Sequence, residues 1–344
     1  ANTAGHLIVG ASGVWECKTT AGITLTWFYE TGATAHWIIN GLVTITLDTS
    51  VQEFSPGLPL YITSTGTVDV IRGILVIVNG GECSGSLIAS TAGTDTVIRF
   101  SGTTIYRILS TSTVTIYGQL HFVNGAVVYI HCTVTYHVDA HIIYIEGTDT
   151  IVHFMEGANF KASASSQANG VVIRSGGRLQ CHDRVNGQYE IDRLIVEATG
   201  SLQVAVSSAA VLSITEYMEV SGTVYLNNGA SLFIRLYLVL LDGGSILANG
   251  VGATLVIDGS AVFNWLGGTL EGSQGGQVLC DGVDAVFNID ASTVIVLSRW
   301  YITVSNGGTV YWLQGNIELR NGAYISVSGA TSQFIARGVS PDVR

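Results

Sequence analysis

The stretch GTVYLNNGASLFI, residues 222–234, carries the pattern that decides the fold of this chain. Apolar and polar residues alternate on both sides of an Asn-Gly pair, and this period of two is typical of half-buried strands that meet at a turn. The inward phase falls to Val224, Leu226, Leu232 and Ile234. Asn-Gly suits a sharp corner between the strands, because glycine adopts positive φ freely and asparagine tolerates it.

The same phrase occurs twice more, as GQLHFVNGAVVYI at 118–130 and GNIELRNGAYISV at 315–327. All three copies fit G-x-[VLI]-x-[FL]-x-N-G-A-x-[VLI]-x-[IV]. In a stacked fold, corner amides can bond to the neighbouring coil. The predicted corner residues are Asn124, Gly125, Asn228, Gly229, Asn321 and Gly322.

Looser copies of the phrase recur at nearly constant spacing. From Gly200 to Gly222 to Gly244 the step is 22 residues, and from Gly244 to Gly268 it is 24. A unit this short buries its apolar face only against copies above and below it. We therefore predict an all-β fold, a single-stranded β-solenoid or parallel β-helix with about 20–24 residues per coil and roughly 16 coils.

The domain organisation follows from the same repetition. The chain has 344 residues and three prolines, so no proline-rich linker divides it. We predict one continuous solenoid over residues 1–344. The alternation breaks near 158–170 and 181–193, which predicts loop excursions there.

Charge and hydropathy exclude some partners. The formal net charge is -11, and charged residues make up 11% of the chain, so a nucleic-acid partner is not expected. The densest apolar run, residues 231–241, is too short for a membrane span and contains Arg235. The chain opens at ANTAGHL without Met, which favours a mature product after signal removal.

Five cysteines show neither a C-x-x-C pair nor the spacing of a metal site. Cys181 and Cys280 stand where the repeated phrase has an apolar residue, so we expect buried small hydrophobic side chains, with disulfides as the alternative. The five are Cys17, Cys83, Cys132, Cys181 and Cys280.

Thr-x-Thr pairs recur in the first half of the chain, where neighbouring apolar residues take the inward phase. The threonines are therefore expected to face outward, as ordinary exposed strand residues or as a contact or O-glycan surface. They are Thr24, Thr26, Thr44, Thr46, Thr65, Thr67, Thr113, Thr115, Thr133 and Thr135.

Tryptophans stand beside other rings in several places. In an alternating strand one ring of a neighbouring pair points outward, where it can stack on sugar or contact another protomer, but core packing and end-capping are the preferred interpretation for most of these rings. The four tryptophans considered as contacts are Trp27, Trp37, Trp300 and Trp312.

Histidines cluster between residues 131 and 182. His137, Asp139 and His141 share one strand face, but residues i and i+4 on a strand lie about 13 Å apart, which is too far for one ion. We predict solvated histidines, no metal site and no cofactor.

Acidic residues concentrate in the same part of the chain. His182-Asp183-Arg184 with Glu190 and Asp192 could form the carboxylate groove of a polysaccharide-cleaving solenoid enzyme. A solvated loop is the expected alternative, and we predict no catalytic residues.

The Gly-x-[VLI] starts and the phrase FNWLGGTLEGSQGG at 263–276 resemble the repeats of secreted and surface right-handed β-helix proteins, a group that includes filamentous adhesins and surface fibres. The resemblance implies a right-handed extracellular solenoid used for structure or adhesion. The clustered aspartates and Gly-His-Gly motif of the pectin-degrading branch are not found in this sequence.

These observations together predict a non-enzymatic extracellular structural protein, a β-helical rod subunit of a surface fibre, filament or appendage that self-associates. The alternative is a monomeric adhesin or glycan-binding β-helix with a carbohydrate partner. A polysaccharide lyase or hydrolase is the third hypothesis.

Overall fold

A computed structural model of the chain describes residues 6–10, 12–18, 35–47, 49–92, 94–137, 143–163, 170–183, 187–206 and 209–337. These residues form 34 strands and no helix. The strands pair in parallel and stack as a β-solenoid of about 12 turns, which confirms the predicted fold class. The right-handed winding stays a prediction.

Turn length explains why about 16 coils was too high an expectation. The 22-residue step is confirmed where Leu202 pairs with Val224. Other turns are longer, since Val134 pairs with Phe160 and Leu270 pairs with Leu297. Fewer turns therefore account for the same length of chain.

The chain falls into two compact units, Ala1–Val171 and Val172–Arg344. One strand, β19 (Val171–Arg174), lies at the boundary in sequence. Each unit is built from turns of three strands on three faces. A single continuous body over 1–344 stays a prediction.

In unit 1, each face is a ladder of parallel strands from successive turns. The first face consists of β1 (His6–Val9), β3 (His36–Ile39), β6 (Leu60–Ile62), β8 (Gly81–Cys83), β11 (Ile105–Ile108), β14 (Val127–Ile130) and β17 (Ile151–Phe154). The second consists of β2 (Val14–Lys18), β4 (Leu42–Thr46), the start of β7 (Thr67–Ile77), β9 (Ser86–Ala89), β12 (Thr113–Ile116), β15 (Thr133–Tyr136) and β18 (Asn159–Ala162). The third consists of β5 (Glu53–Phe54), the end of β7, β10 (Thr96–Ser101), β13 (Gln119–Val123) and β16 (Ile143–Glu146).

Unit 2 repeats the three-sided plan, and its longer strands continue around corners from one face to the next. Its first face contains β20 (Arg178–Cys181), β22 (Ser201–Val204), β24 (Thr223–Leu226), β27 (Ser245–Ala248) and parts of β30 (Thr269–Asp281), β31 (Val286–Ser305) and β32 (Thr309–Arg320). Its second contains the starts of β21 (Tyr189–Val196) and β23 (Val211–Val220), then β25 (Ser231–Ile234), β28 (Ala253–Asp258), the ends of β30 and β31, and β33 (Tyr324–Val327). Its third contains the ends of β21 and β23, then β26 (Tyr237–Leu240), β29 (Val262–Trp265), the starts of β31 and β32, and β34 (Gln333–Ala336).

The core of each unit fills the space between its three faces. The four inward residues predicted from residues 222–234 are fully buried, and the outward residues between them are partly exposed. Leu232 lies in register with Leu212 in one neighbouring turn and with Leu255 in the other. Apolar side chains thus stack in columns through each unit.

A glycine precedes one strand in most turns, and close packing between turns explains it. A Cβ atom on Gly222 would lie 2.2 Å from the carbonyl oxygen of Glu197 and 2.5 Å from that of Gly200. The Thr223 amide donates to the Gly200 oxygen at 3.1 Å, and the Ser245 amide donates to the Gly222 oxygen at 2.9 Å. The Gly-x-[VLI] starts therefore mark a column of stacked glycines.

Two of the three predicted Asn-Gly corners have an asparagine with positive φ. Asn124 and Asn321 have φ of 53° and 55°, the left-handed region that asparagine tolerates. The side-chain amide nitrogen of Asn124 donates to Ser101 Oγ at 3.4 Å, and that of Asn321 donates to Ser298 Oγ at 3.0 Å. These bonds tie each corner to the preceding turn.

The third copy also turns at residues 228–229, but its asparagine does not adopt positive φ. Only Gly229 adopts positive φ there, at 66°. The Asn228 side chain extends over the next turn instead, since a Cβ on Gly250 would lie 1.7 Å from Asn228 Oδ1.

Part of each predicted loop excursion is strand. Within 158–170, residues 159–162 form β18 and Phe160 is fully buried. Within 181–193, β21 begins at Tyr189 and Ile191 is fully buried. Residues 164–169 and 184–186 lie outside the described part of the chain.

Candidate assembly surface

The last turn of unit 2 has an open edge. It is formed by residues 316–320 of β32, by β33 and by β34, each paired with the preceding turn. Among the described residues no strand pairs with the opposite edge of these three segments. Their outer backbone amides and carbonyls therefore lack a strand partner there.

The apolar interior of the unit opens at this turn. Val327 is in register with Val304, and Phe334 with Val310. Val304 and Val310 are fully buried, whereas Val327 is 40% exposed and Phe334 is 38% exposed. The same strand positions thus change from core to surface over one turn.

The exposed interior forms a cavity of about 370 Å³. Its lining residues are Trp312, Ile317, Leu319, Tyr324, Ile325 and Phe334. The indole nitrogen of Trp312 donates to the Gly315 carbonyl at 3.0 Å, so its ring presents an apolar surface. All six lining side chains are aliphatic or aromatic.

Two opposite charges lie on the outward side of the same turn. Arg320 Nη2 donates to Glu318 Oε2 at 2.7 Å, and both side chains are largely exposed. This hydrogen bond lowers the pKa of the Glu318 carboxyl and raises that of the Arg320 guanidinium. The pair adds no net charge to the open turn.

The first described turn of unit 1 differs from this arrangement. Of its inward residues, Val9 and Cys17 are buried, at 7% and 2% exposure, whereas Trp15, in register with buried Val43, is partly exposed. Its exposed apolar residues, Ile8 and Val14, lie at outward positions. Among the described side chains of this turn, no inward one is as exposed as Val327 or Phe334.

Of the tryptophans considered as possible contacts, Trp37 and Trp300 are core residues, as the preferred interpretation predicted, and the contact role is wrong for these two, whereas Trp312 lines the cavity of the last turn. Trp37 and Trp300 are fully buried, and Trp312 is 7% exposed. Each lies in phase with a buried neighbour two residues away, as Trp300 does with Ile302. Trp27 lies outside the described residues.

The outward rings are the tyrosines beside these tryptophans. Tyr301 is 36% exposed and stacks on Tyr324 of the next turn, with ring centroids 4.6 Å apart. Tyr311 lies under the Arg337 guanidinium at 5.1 Å. The alternation of buried Val310 and Trp312 would have identified Tyr311 as the outward ring.

The described threonines of the second face of unit 1 take the predicted outward phase. Thr115 pairs directly with Thr135, but Thr44 pairs with Asp69 and Thr67 with Ser86. The outward column on this face therefore contains aspartate and serine side chains as well as threonine. The outward strand threonines are Thr44, Thr46, Thr67, Thr113, Thr115, Thr133 and Thr135.

Thr65 lies in a turn rather than on the strand, and its hydroxyl donates to the Asn40 carbonyl at 2.8 Å. Thr24 and Thr26 lie outside the described residues. A role for the threonine rows as a contact or O-glycan surface stays a prediction.

Two histidines of the cluster, His137 and His153, and two outside it make ring contacts between successive turns of unit 1. Each of four imidazoles lies against a tyrosine, with centroid distances from 3.7 to 5.0 Å. The pairs are His36–Tyr61, Tyr117–His137, His121–Tyr144 and Tyr129–His153. Sequence reasoning missed these pairs, because they depend on the register between turns.

The proposed metal ligands Asp139 and His141 lie outside the described residues. His137 accepts or donates a hydrogen bond with Ser163 Oγ at 3.0 Å. Within the described part of the chain, no group of three His, Cys, Asp or Glu side chains is arranged to hold a metal ion.

The acidic candidates have partners within unit 2. Thr215 Oγ1 donates to Asp192, and Gln188 Nε2 donates to Glu190 Oε1 at 3.1 Å. Burial raises the pKa of Glu216, and the nearby Asp192 carboxylate raises it further, while Arg193 opposes the shift. A carboxylate cluster thus lies at the bulge in β21.

His182 lies between β20 and β21 in the sequence. Burial lowers the pKa of its imidazole, partly opposed by the Asp183 carboxylate, and its carbonyl accepts from Tyr189 OH at 2.8 Å. Arg184 lies outside the described residues. The polysaccharide-cleaving alternative stays a prediction.

All five cysteines are free and buried, as the preferred interpretation predicted. Burial raises the pKa of the Cys83 and Cys280 thiols to about 11 and that of Cys132 to about 12. Burial also raises the pKa of Cys181. Protonated, enclosed thiols of this kind are chemically inert.

The chain is a β-solenoid by its fold. Comparison with known proteins adds no family, because no protein-family model and no curated protein matches the sequence. In the described residues, no helix has the length and apolar character needed to cross a membrane.

Proposed function

We propose that this chain is a non-enzymatic extracellular structural protein, a β-solenoid subunit of a surface fibre, filament or appendage that associates through its last turn. The observation that supports association most directly is the opening of the apolar interior at Val327 and Phe334. Exposed apolar patches of this kind mark interaction sites. Open strand edges favour strand addition from another chain.

The physical gain from covering the last turn comes from two sources. Burial of apolar surface contributes roughly 25 cal/mol per Å². Pairing the open edges also satisfies backbone groups that would otherwise depend on water. The Glu318–Arg320 pair within this turn adds no net charge that would have to be desolvated.

The decisive experiment measures particle mass and shape of the chain alone. Light scattering should show multi-copy particles, and negative-stain electron microscopy should show them as fibres or defined assemblies. Val327→Lys should shift the mass toward the monomer, because it places a charge in the exposed apolar interior.

Val283→Lys is the matched control, because Val283 is 78% exposed at a corner of the same unit. It should leave the assemblies unchanged, and circular dichroism should show the same β content for both variants. A wild-type chain that stays monomeric at every accessible concentration would contradict the proposed function.

Monomeric wild-type chains would instead favour the adhesin or glycan-binding alternative. The outward ring of Tyr301 gives that alternative a specific surface. Wild-type binding to immobilised polysaccharides that is lost in Tyr301→Ala would then support it.

A further inference from the structure

We propose that Asn249 is a site of spontaneous covalent modification, at which the side-chain amide is lost and the Asn249-Gly250 linkage becomes aspartyl or isoaspartyl. The site lies at the corner between β27 and β28 in unit 2. Asparagine is a thermolabile residue, and a glycine after it leaves the attacking backbone nitrogen unhindered. The inference concerns the chain by itself and does not depend on association between copies.

The reaction needs only water. The backbone nitrogen of Gly250 attacks Cγ of Asn249, a carbon–nitrogen bond forms, and the side-chain nitrogen leaves as ammonia with the Gly250 amide proton. The product is a cyclic succinimide. Water then opens the ring at either carbonyl, which gives a carboxylate and an aspartyl or isoaspartyl linkage. The attack requires a side chain that can turn toward the backbone and a Gly250 N–H that is not engaged.

Both conditions are met at Asn249. Its side chain is exposed. Its backbone amide donates to the Leu226 carbonyl at 2.8 Å, which holds the residue at the corner without engaging the side chain. Within the described part of the chain, neither the Asn249 side chain nor the Gly250 N–H forms a hydrogen bond.

In three other Asn-Gly pairs the attacking nitrogen is engaged. Its N–H already donates a hydrogen bond, and the bond must break before the nitrogen can reach the asparagine side chain. The three bonds are Gly125 N–H to Thr150 Oγ1 at 3.0 Å, Gly229 N–H to the Val251 carbonyl at 2.9 Å and Gly307 N–H to Ser332 Oγ at 3.1 Å.

In three further pairs the asparagine side chain is engaged. Each is hydrogen-bonded to another turn, which restricts its rotation toward the backbone. The three bonds are Thr63 Oγ1 to Asn40 Oδ1 at 2.8 Å, Asn79 Nδ2 to the Gly57 carbonyl at 2.5 Å and Asn321 Nδ2 to Ser298 Oγ at 3.0 Å. Asn169 and Asn186, which also precede glycine, lie outside the described residues.

Packing between turns requires the glycine that makes Asn249 reactive. A Cβ atom on Gly250 would lie 1.7 Å from Asn228 Oδ1, so a larger residue that would hinder the attack does not fit. The reaction also changes the corner. The new carboxylate is ionised at neutral pH, and an isoaspartyl linkage lengthens the main chain just before Val251, whose carbonyl accepts from Gly229.

The test incubates the full chain at mildly alkaline pH and follows each Asn-Gly pair by peptide mass spectrometry. Enzymatic methylation of isoaspartate with a labelled methyl donor provides a second readout. Asn249 should be modified several-fold faster than Asn124 or Asn228. Asn249→Gln should remove the fast site, because its longer side chain does not form the succinimide.

Thr150→Val tests the reason for the difference. Thr150 is fully buried, and valine keeps its shape but releases the Gly125 N–H. Modification at Asn124 should then accelerate, while the rate at Asn249 stays unchanged. In urea, where the turns are lost, the rates at the three pairs should converge.

Two results would overturn the inference. One is a folded chain in which Asn124 or Asn228 is modified as fast as Asn249. The other is a difference between the pairs that persists in urea, because local sequence rather than the fold would then select the site.

Discussion

At the scale of single residues, the repeated phrase reflects how closely neighbouring turns pack. Glycine at position 222 is required by neighbouring carbonyl oxygens rather than by a turn type, since its φ is not in the left-handed region. Asn124 and Asn321, in contrast, lie at corners where the backbone is left-handed and the side-chain amide donates a hydrogen bond to the preceding turn.

Gly222→Ala should therefore destabilise the protein. The added methyl group would meet two backbone oxygens at 2.2 and 2.5 Å, so the turns must separate locally, and overpacking of this kind costs about 1–3 kcal/mol. The measurement is the free energy of unfolding from urea titration followed by circular dichroism.

Gly10→Ala serves as the control for that change. A Cβ atom on Gly10 meets no atom within 4 Å, so the free energy of unfolding should change by less than about 0.5 kcal/mol. Equal losses in the two variants would show that steric contact between turns is not the reason for the glycine column.

The tryptophans show what a residue-scale prediction requires. Trp300 is in phase with Ile302, and Trp312 with Val310, so strict alternation could have assigned both rings to the core. The contact hypothesis failed for Trp300 because the phase of its strand was not carried through. Tyr301 and Tyr311 are the outward rings that the phase identifies.

At the scale of strands and turns, alternation predicted the inward residues well, because each strand faces the core on one side. The three-sided plan was not predictable from the sequence. Corners without an Asn-Gly pair give little indication in the sequence of where one face ends, and β31 continues through such corners for 20 residues. The tyrosine–histidine stacks also need the register between turns. The alternation within one strand does not indicate which residues of the next turn it pairs with.

Corresponding residues in the last two turns should differ in their contribution to stability. Ile302 is fully buried and is in register with Ile325, which is only partly buried. Ile302→Ala should cost about 2–5 kcal/mol, and Ile325→Ala should cost clearly less.

The comparison is made by chemical denaturation at a protein concentration where light scattering shows monomers, because association would bury Ile325. Equal costs under those conditions would mean that the last turn is covered within the monomer. That result would contradict an open apolar interior at β33.

At the scale of the whole molecule, the fold class followed from the chain because a 22-residue unit has no other way to bury its apolar face. The candidate surface was only partly predictable. Self-association was expected, but the residues that carry the opening, Val327 and Phe334, look like ordinary core positions in the sequence.

Buried thiols make the stability of the whole molecule dependent on alkaline pH. The pKa of Cys83 is raised from an ordinary value of 9.0 to about 11, and that of Cys132 to about 12. Because the folded state holds these protons more tightly, the stabilisation is fully present below pH 9 and is lost as pH rises toward the folded values.

The free energy of unfolding should therefore fall between pH 9 and pH 11, as measured by urea titration at several pH values. Cys132→Ala should lower stability at pH 7 and make the decline with pH shallower. A stability that stays constant or rises over this range would contradict the assignment of protonated, buried thiols.

Parallel register between successive turns also has a kinetic consequence. Leu202 pairs with Val224, and Val224 pairs with Ile246, so each contact closes a segment of one turn. Short closures cost little chain entropy, and their cost does not grow with the length of the protein. A turn that has formed presents a complete strand edge with which the following residues can pair. Folding can therefore begin at any stable turn and spread to its neighbours, while unfolding begins where neighbours are missing.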